Sequence, residues 1–386
     1  MYQIADYGAM IADDVRVSAF MRALGQAVKP GAVVVDIGTG TGIFALMACR
    51  LGAHRVYAIE ADNVIQLAQE IAAANGCADR IEFIQGFSAD VVLPERADVV
   101  VSDLAGGLPW YQRHIPSIID ARRRFLAPGG VLIPQGDVAW AAVVDMPDLY
   151  ARWTRPWSDN RLGLDMEAAH GMIVNTTWNT GRVMRDQMLT EPQRWATLDY
   201  AALEEADIHA RVTWTVRRPG TGHGLAAGFD RTLSKGIDVS SAPDAVSAIQ
   251  TVAYHTIVFP WPAPIALETG DVVIVDLDAR LVRDDYVWSW KTTVLDQGRP
   301  DGDKATFAQS TFFGVPLSRA ALRKRAPGYT PCLTEDGRIA RLVLGSMGNA
   351  APLDDIARLV STEFSARFPN PEDALSYVAD LSERYG

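Results

Sequence analysis

A short apolar run followed by closely spaced glycines constrains the fold of this chain more than any other feature. Residues 33–37 (VVVDI) are mostly β-branched, which is typical of a strand buried on both faces of a parallel sheet. Gly38, Gly40 and Gly42 follow, and 43–51 (IFALMACRL) then predicts a helix. Glycines at such a turn allow unusual backbone dihedral angles and a close approach of a ligand. The pattern therefore predicts a Rossmann-like α/β domain with a ligand site at this turn.

The spacing of the glycines indicates which ligand binds. NAD-binding turns usually read G-x-G-x-x-G, whereas this turn reads G-x-G-x-G after an aspartate, which favours S-adenosylmethionine (SAM). The second predicted strand, 55–59, is followed by Glu60, whose carboxylate can accept hydrogen bonds from both ribose hydroxyls. A capping or solvent-exposed acid is the alternative for Glu60. The residues expected to bind the cofactor here are Asp36, Gly38, Thr39, Gly40, Gly42, Glu60 and Ala61.

Two further predicted strands end beside the same turn. Residues 81–85 lead into Gly86, Phe87 and Ser88, where adenine is expected to rest on the ring or bond to the backbone. Residues 98–102 lead into Asp103. Ligands of open α/β sheets bind at the carboxyl ends of the strands, so these residues are expected to share one crevice with the glycine turn.

Residues 1 to about 145 resemble the protein arginine methyltransferases. The segment from Met10 to Arg16 (MIADDVR) is similar to that family's M-L-x-D-x-x-R, and VVDIGTGTGIFALMACRLGA, RVYAIEAD, FIQGFSAD and FLAPGGVLIP follow in the family's order. The resemblance implies a SAM-dependent methyltransferase in which Met10 lies at the cofactor and Arg16 pairs with the SAM carboxylate, a geometry that suits a guanidinium. A surface salt bridge of Arg16 with Asp13 or Asp14 is the alternative.

The next part of the chain also resembles this family. NRLGLDM (160–166) looks like its dimerisation arm, while GFD (228–230) and FPWPAPIALETGDVVIVDL (259–277) look like its antiparallel β-barrel. Alternating segments such as ARVTWTV and YVWSWKTTV are typical of strands. The resemblance implies a homodimer and three domains: a Rossmann-like domain over 1–145, a β-barrel domain with a helical arm over 146–315, and a module over 316–386.

The substrate loop departs from the family pattern. Arginine methyltransferases hold the substrate guanidinium with two glutamates after the fourth strand, and this chain has Asp103 and Gln112 at those positions. Ala253 stands where the family's T-H-W loop has histidine, and His255 lies close by. One acid and one amide offset a guanidinium poorly, so the substrate is expected not to be an ordinary protein arginine. Asp103, Gln112 and His255 are the candidate catalytic residues; His114 is a further candidate base, since acceptors other than a carboxylate need one.

The last 70 residues suggest a peptide-binding module. Residues 317–325 predict a basic helix or linker, 338–344 a strand, and 352–364 and 371–381 two helices. This layout is similar to the pyrroloquinoline-quinone D type of winged-helix protein, which binds leader peptides of ribosomally made precursors. The resemblance implies an α+β module that takes a leader peptide as an added strand at its sheet edge. A helical cap is the alternative.

Composition limits the partners. A net charge of -11 argues against general binding of nucleic acid, and no uncharged apolar run reaches the roughly 18 residues of a membrane span. Three widely separated cysteines fit a reducing compartment, so a cytoplasmic protein is expected.

The leading hypothesis is therefore a SAM-dependent methyltransferase of a peptide or protein, most simply a ribosomally made precursor with a carboxylate as a plausible acceptor. The alternatives are an arginine N-methyltransferase that relies on Asp103 and a SAM-binding scaffold without catalysis.

Overall fold

The chain forms two compact units, Met1–Pro316 and Leu317–Gly386. The computed structural model describes residues 2–160, 162–243, 254–298 and 302–386. Ala253, the residue expected at the position of the family's loop histidine, lies outside the described residues.

The first unit begins with a five-stranded parallel sheet in the order β3-β2-β1-β4-β5. Its strands are β1 Val33–Ile37, β2 Arg55–Glu60, β3 Ile81–Gln85, β4 Ala97–Ser102 and β5 Leu126–Ile133, and its helices are α1 Ile4–Ala12, α2 Asp14–Ala27, α3 Ile43–Arg50, α4 Val64–Ala74 and α5 His114–Arg124. Every residue of β1 is buried. The strand order reverses between β1 and β4, which is where ligands bind in sheets of this kind. The predicted Rossmann-like domain is confirmed.

Helix α2 brings Arg16 to this crevice. The Asp13 carboxylate accepts a hydrogen bond from the backbone N–H of Arg16 and so caps the helix. On the buried face, Phe20 stacks on Phe44 of α3 with ring centroids 4.4 Å apart. Arg16 is therefore held one turn before an aromatic contact that fixes the helix.

The rest of the first unit is antiparallel and consists of two sheets. The six-stranded sheet has the order β7-β12-β10-β6-β8 with β11 beside β10, and the four-stranded sheet has the order β15-β14-β13-β9. The strands are β6 Gly136–Val144, β7 Trp178–Thr180, β8 Gln193–Asp199, β9 Ile208–Thr215, β10 Gly220–Ser234, β11 Ile237–Ser240, β12 Thr256–Leu267, β13 Val272–Val282, β14 Asp285–Leu295 and β15 Asp303–Ser310; the helices are α6 Pro147–Ser158 and α7 Glu167–Ile173. The predicted antiparallel domain is confirmed, although the described residues form no closed barrel.

Trp110, in the loop after β4, packs against the two antiparallel sheets. It is buried, and its ring stacks on Trp195 of β8 at 4.9 Å and meets the edge of Trp288 of β14 at 6.1 Å. Aromatic pairs of this size bury large apolar areas, so the loop that begins at Asp103 has a fixed course.

The second unit is helical. Its helices are α8 Arg319–Lys324, α9 Glu335–Met347, α10 Leu353–Glu363 and α11 Pro371–Tyr385. The strand predicted at 338–344 is wrong, because these residues belong to α9. Ile339 and Val343 are one helical turn apart and fully buried, so the apolar period is that of a helix. All of Leu317–Gly386 is described and contains no strand, so the predicted α+β winged-helix-like module with a sheet edge is also wrong, and the unit consists of helices and loops.

None of the helices in the described part of the chain combines the length and apolar character that a bilayer crossing requires.

Candidate active site

The glycine turn between β1 and α3 lies under the N-terminal helix. Gly38, Gly40 and Gly42 have φ angles of 72°, 53° and 81°, which side chains rarely adopt. A Cβ atom at Gly40 would lie 2.8 Å from Cε1 of Tyr7 in α1. The turn is therefore covered by an aromatic ring, and nothing in the spacing of the sequence identified Tyr7.

Asp36 carries a buried oxygen without a partner. Its Oδ2 accepts hydrogen bonds from the Thr39 hydroxyl at 2.6 Å and from the backbone N–H of Ala45 at 3.0 Å. Its Oδ1 is buried and has no partner among the described residues. Burial raises the pKa of Asp36 to about 7, although the two hydrogen bonds act against this rise. An unsatisfied acceptor of this kind fits a ligand that supplies a donor or a positive charge.

Glu60 is fixed by backbone donors at the end of β2. The N–H of Gly40 donates to Oε2 at 3.0 Å, and the N–H of Asp62 donates to Oε1 at 2.9 Å. Each carboxylate oxygen can accept more than one hydrogen bond, so both remain able to receive a hydroxyl. Glu60 thus ties the end of β2 to the glycine turn and is half-buried rather than exposed.

The loop after β3 is held from α5. Phe87 is 59% exposed, whereas Ser88 is buried. Arg124 donates to the carbonyl oxygens of Ser88 at 2.7 Å and of Val91 at 2.6 Å. The exposed ring therefore stands on an anchored loop, with Gly86 and the exposed Ala61 at the neighbouring strand ends.

Arg16 and Asp103 form a buried ion pair between α2 and the end of β4. Arg16 Nε donates to Asp103 Oδ2 at 2.6 Å, and the two side chains are 7% and 6% exposed. Arg16 Nη1 also donates to the carbonyl oxygen of Met10 at 3.2 Å. Burial disfavours its charge, but the Asp103 carboxylate more than compensates, so the pKa of Arg16 is raised. The alternative of a surface salt bridge for Arg16 is wrong.

A second buried arginine, which the sequence reasoning missed, holds the other oxygen of Asp103. Arg231 on β10 is fully buried, and its Nη1 donates to Asp103 Oδ1 at 2.9 Å. Its Nε and Nη2 donate to the two oxygens of Asp137 on β6, at 2.9 and 2.8 Å. One guanidinium therefore bridges a carboxylate of the parallel sheet domain and one of the antiparallel sheet.

Tyr254 and His114 complete this cluster. The Tyr254 hydroxyl donates to Asp103 Oδ1 at 2.5 Å. His114 Nε2 lies 3.2 Å from Arg231 Nη2. Nε2 also lies 3.1 Å from the Tyr200 hydroxyl, and Nδ1 is buried without a partner among the described residues. Burial and then the charge of Arg231 lower the pKa of His114. His114 is therefore a neutral structural residue and a poor candidate for the base.

Gln112 and His255 lie apart from these buried groups. Gln112 is exposed with a φ of 44°, and its Nε2 donates to the Tyr111 hydroxyl at 3.1 Å. His255 is exposed, and its carbonyl oxygen lies 2.6 Å from where a Cβ of Gly107 would be. None of the described contacts joins either residue to Asp103. Of the three candidate catalytic residues, only Asp103 reaches the crevice with Arg16.

Comparisons with known proteins agree on one class. A family model described as Ribosomal protein L11 methyltransferase (PrmA) matches residues 18–137. Probable protein arginine N-methyltransferase 6 of Arabidopsis thaliana is 31% identical over 233 residues, which are 58% of this chain and 53% of the relative. The chain thus matches about half the length of that relative. Protein arginine N-methyltransferase PRMT10 of Oryza sativa subsp. japonica is 30% identical over 302 residues, 69% of this chain and 78% of the relative.

Two solved structures share the fold. The Arabidopsis thaliana protein arginine methyltransferase 10 structure, described as uniquely open, has a TM-score of 0.68 at 22% identity and covers 80% of this chain and 97% of its own. The Trypanosoma brucei PRMT1 enzyme-prozyme heterotetrameric complex with AdoHcy has a TM-score of 0.69 at 18% identity, and the match covers 79% of this chain and 96% of the chain in that structure.

Proposed function

This chain belongs to the protein arginine N-methyltransferase family, and on that premise we propose that it transfers a methyl group from SAM to a protein, with an arginine guanidinium as the acceptor. The predicted class of enzyme and the predicted cofactor are confirmed by this membership. The relatives support an arginine acceptor over the precursor peptide of the leading hypothesis. The observation that carries the proposal is the position of Asp103, a buried carboxylate at the end of β4 beside the glycine turn.

The residues around the glycine turn fit SAM. Asp36 Oδ1 is a buried acceptor that can meet the amino group, and the two oxygens of Glu60 can meet the ribose hydroxyls. Arg16 is the buried cation we assign to the carboxylate, with Met10 beside it. Gly38, Thr39, Gly40 and Gly42 shape the turn, and Ala61, Gly86, Phe87 and Ser88 are assigned to the adenosine side. When bound, SAM supplies an activated methyl group.

Asp103 is the residue we assign to the acceptor. Methyl transfer depends mainly on alignment, because the donor is already activated. The carboxylate can accept an N–H hydrogen bond from a guanidinium and so orient the nitrogen that attacks. That nitrogen loses a proton when it gains the methyl group, and Asp103 can take this proton as the base. Among the described residues, Gln112 and His255 make no contact that supports such a role.

A peptide panel tests the acceptor. Peptides that differ only in a central arginine, lysine, glutamine or glutamate are incubated with the protein and SAM, and masses are measured. We expect a gain of one methyl group on the arginine peptide alone. In Asp103→Asn the rate should fall about 100-fold because the base is lost. Calorimetry should show that this variant still binds SAM. Labelling of another peptide, or tight SAM binding without any labelling, would contradict an arginine acceptor.

A precursor peptide modified at a carboxylate or at an uncharged group is the second candidate. The observation that favours it is that both oxygens of Asp103 are bonded to arginines, while the position of the second acid carries the exposed Gln112. Labelling of the glutamate or glutamine peptide would support it. A leader peptide held by residues 316–386 remains a proposal, but it could not add as a strand, since Leu317–Gly386 offers no sheet edge. Binding of a leader encoded beside the gene, measured by calorimetry, tests this.

We also propose a homodimer formed through the arm region. Leu162 and Leu164, between α6 and α7, are 74% and 58% exposed. Sedimentation should give twice the chain mass for the natural protein and a smaller species for Leu162→Glu. A monomeric natural protein would contradict this proposal.

A further inference from the structure

Arg231 and Asp137 are built into the sheet as a pair. They lie directly opposite each other in the antiparallel register of β10 and β6. Side chains of such partners project from the same face, so the strands themselves bring guanidinium and carboxylate together. Nε and Nη2 of Arg231 donate hydrogen bonds to the two oxygens of Asp137, so Nη1 is the nitrogen that is not used in this pair.

The charge of Arg231 is met without Asp103. A bidentate pair with Asp137 already opposes one positive with one negative charge, and both side chains are fully buried. Although burial disfavours its charge, the Asp137 carboxylate raises the pKa of Arg231 well above its usual range. The bond from Nη1 to Asp103 therefore adds direction more than charge compensation. In the same structure Arg16 compensates the charge of Asp103.

The two oxygens of Asp103 have different surroundings. Arg231 and Tyr254 both donate to Oδ1, at 2.9 and 2.5 Å. Arg16 donates to Oδ2, and Arg16 is the residue assigned above to the cofactor. A turn of Arg16 toward the cofactor would leave Oδ2 open, while Oδ1 keeps its bonds to Arg231 and Tyr254.

We propose that Arg231 is a positioning residue for methyl transfer: with Tyr254 it anchors Oδ1 of Asp103 so that Oδ2 faces the acceptor group. This rests on the proposed function, because it takes Asp103 as the acceptor carboxylate. The Arg231–Asp137 pair by itself matches one positive with one negative charge. The third bond, to a residue 128 positions away at the carboxyl end of β4, is the one that links this pair to the site.

Arg231→Lys tests this, because lysine keeps the charge but cannot bond in fixed directions to both carboxylates. We expect kcat to fall about 10- to 100-fold, the cost of a misplaced reacting group, with SAM affinity unchanged within twofold. Tyr254→Phe, which removes the other donor to Oδ1, should lower kcat less. In Arg231→Ala, added ethylguanidinium chloride should restore part of kcat. Arg218→Lys, a half-buried arginine of the same domain that bonds only to backbone carbonyls, is the matched control and should keep kcat.

Unchanged kcat in Arg231→Lys would overturn the proposal. The proposal would also be overturned if kcat, SAM affinity and melting temperature all fell together in Arg231→Lys and ethylguanidinium did not restore kcat in Arg231→Ala. That combination describes a structural residue. Activity is measured with whichever peptide of the panel the natural protein methylates. If it methylates none, the proposed function fails and the role in methyl transfer fails with it. A crystal structure with S-adenosylhomocysteine tests the anchoring separately: we expect Oδ1 bonded to Arg231 and Oδ2 open. An Asp103 that has turned away from Arg231 would refute it.

Discussion

The cofactor side and the acceptor side of the site are held by different kinds of interaction. On the cofactor side, Asp36 and Glu60 bond to Thr39, Ala45, Gly40 and Asp62, all within 20 residues along the chain and mostly through backbone N–H groups. On the acceptor side, Asp103 bonds to side chains 87, 128 and 151 residues away. The cofactor side is thus a local structure, and the acceptor side is assembled only by the complete first unit.

This difference has an energetic consequence. A carboxylate satisfied by backbone donors keeps them whatever happens to a distant side chain. In a buried cluster of two arginines and two aspartates, each charge depends on the others, and removing one leaves another uncompensated. We therefore expect substitutions that remove a charge from the acceptor side to destabilise the fold, whereas a charge-conserving change there, such as Arg231→Lys, should affect turnover. Substitutions of Asp36 and Glu60 on the cofactor side should affect binding.

Asp137→Asn should give the largest effect. It leaves the buried Arg231 without its bidentate partner, which should lower the free energy of unfolding by about 3–5 kcal/mol in urea titrations. Asp276→Asn is the control: it removes a partly exposed pair with Arg211 on another strand and should change stability by about 0–1 kcal/mol. A loss below about 1 kcal/mol in Asp137→Asn would break the comparison, because the cluster would then tolerate an uncompensated charge.

Glu60→Ala tests the cofactor side. It removes two acceptors for the ribose hydroxyls, so calorimetry should show a SAM dissociation constant about 10- to 100-fold higher. The melting temperature of the ligand-free protein should change little, in contrast to Asp137→Asn. Glu82→Ala, an exposed acid on the adjacent strand β3, should leave affinity unchanged. Unchanged affinity in both Glu60→Ala and Arg16→Ala would mean that the cofactor site lies elsewhere.

The affinity for SAM should depend on pH through Asp36. Burial raises the pKa of its carboxyl to about 7, so the free protein gains a proton there as the pH falls. The positively charged amino group of SAM favours the ionised form, so affinity should fall about eightfold from pH 7.5 to 6. In Asp36→Asn this dependence should flatten. A natural protein whose SAM affinity is constant over this range would remove Asp36 from the amino group.

We expect the smallest effect from His114, and it should appear in the pH dependence of the free energy of unfolding. Its pKa is lowered in the folded protein, so the unfolded chain binds a proton more readily below pH 6.5 and stability is lost as the pH falls. From pH 6.5 to 5.5 this loss is about 1 kcal/mol. The raised pKa of Asp36 acts oppositely over this range, so the measurement is the difference in slope between the natural protein and His114→Asn. Equal slopes would show that His114 does not contribute to this pH dependence.

The sequence was sufficient for the parts of the site that are local. The order of strand, glycines, helix and Glu60 follows from short-range dihedral and burial requirements, and the structure has these elements where they were predicted. Arg231 carried no such signal. It stands in β10 between Asp230 and Thr232, and its partners come from β6 and the end of β4, so only the register of the sheets reveals it.

The error in the last unit has a related cause. Residues 338–344 (RIARLVL) are rich in β-branched and apolar residues, which also suits a strand. The contacts that decide are Ile339 and Val343 packing with Ile356, Val360 and Val378 of the neighbouring helices. A short apolar segment has too few residues to separate a period of 2 from one of 3.6 unless the partner surface is known.

Because Arg231 and Asp137 are cross-strand partners, methyl transfer also depends on the correct register between β6 and β10. Side chains alternate between the two faces of a strand, so a slip of one residue between β6 and β10 would turn Arg231 away from both aspartates. A chain with this mistake could still close its glycine turn and bind SAM, but it would present no anchored acceptor carboxylate. Catalytic turnover per SAM-binding site therefore measures the fraction of molecules in which the two strands are correctly registered.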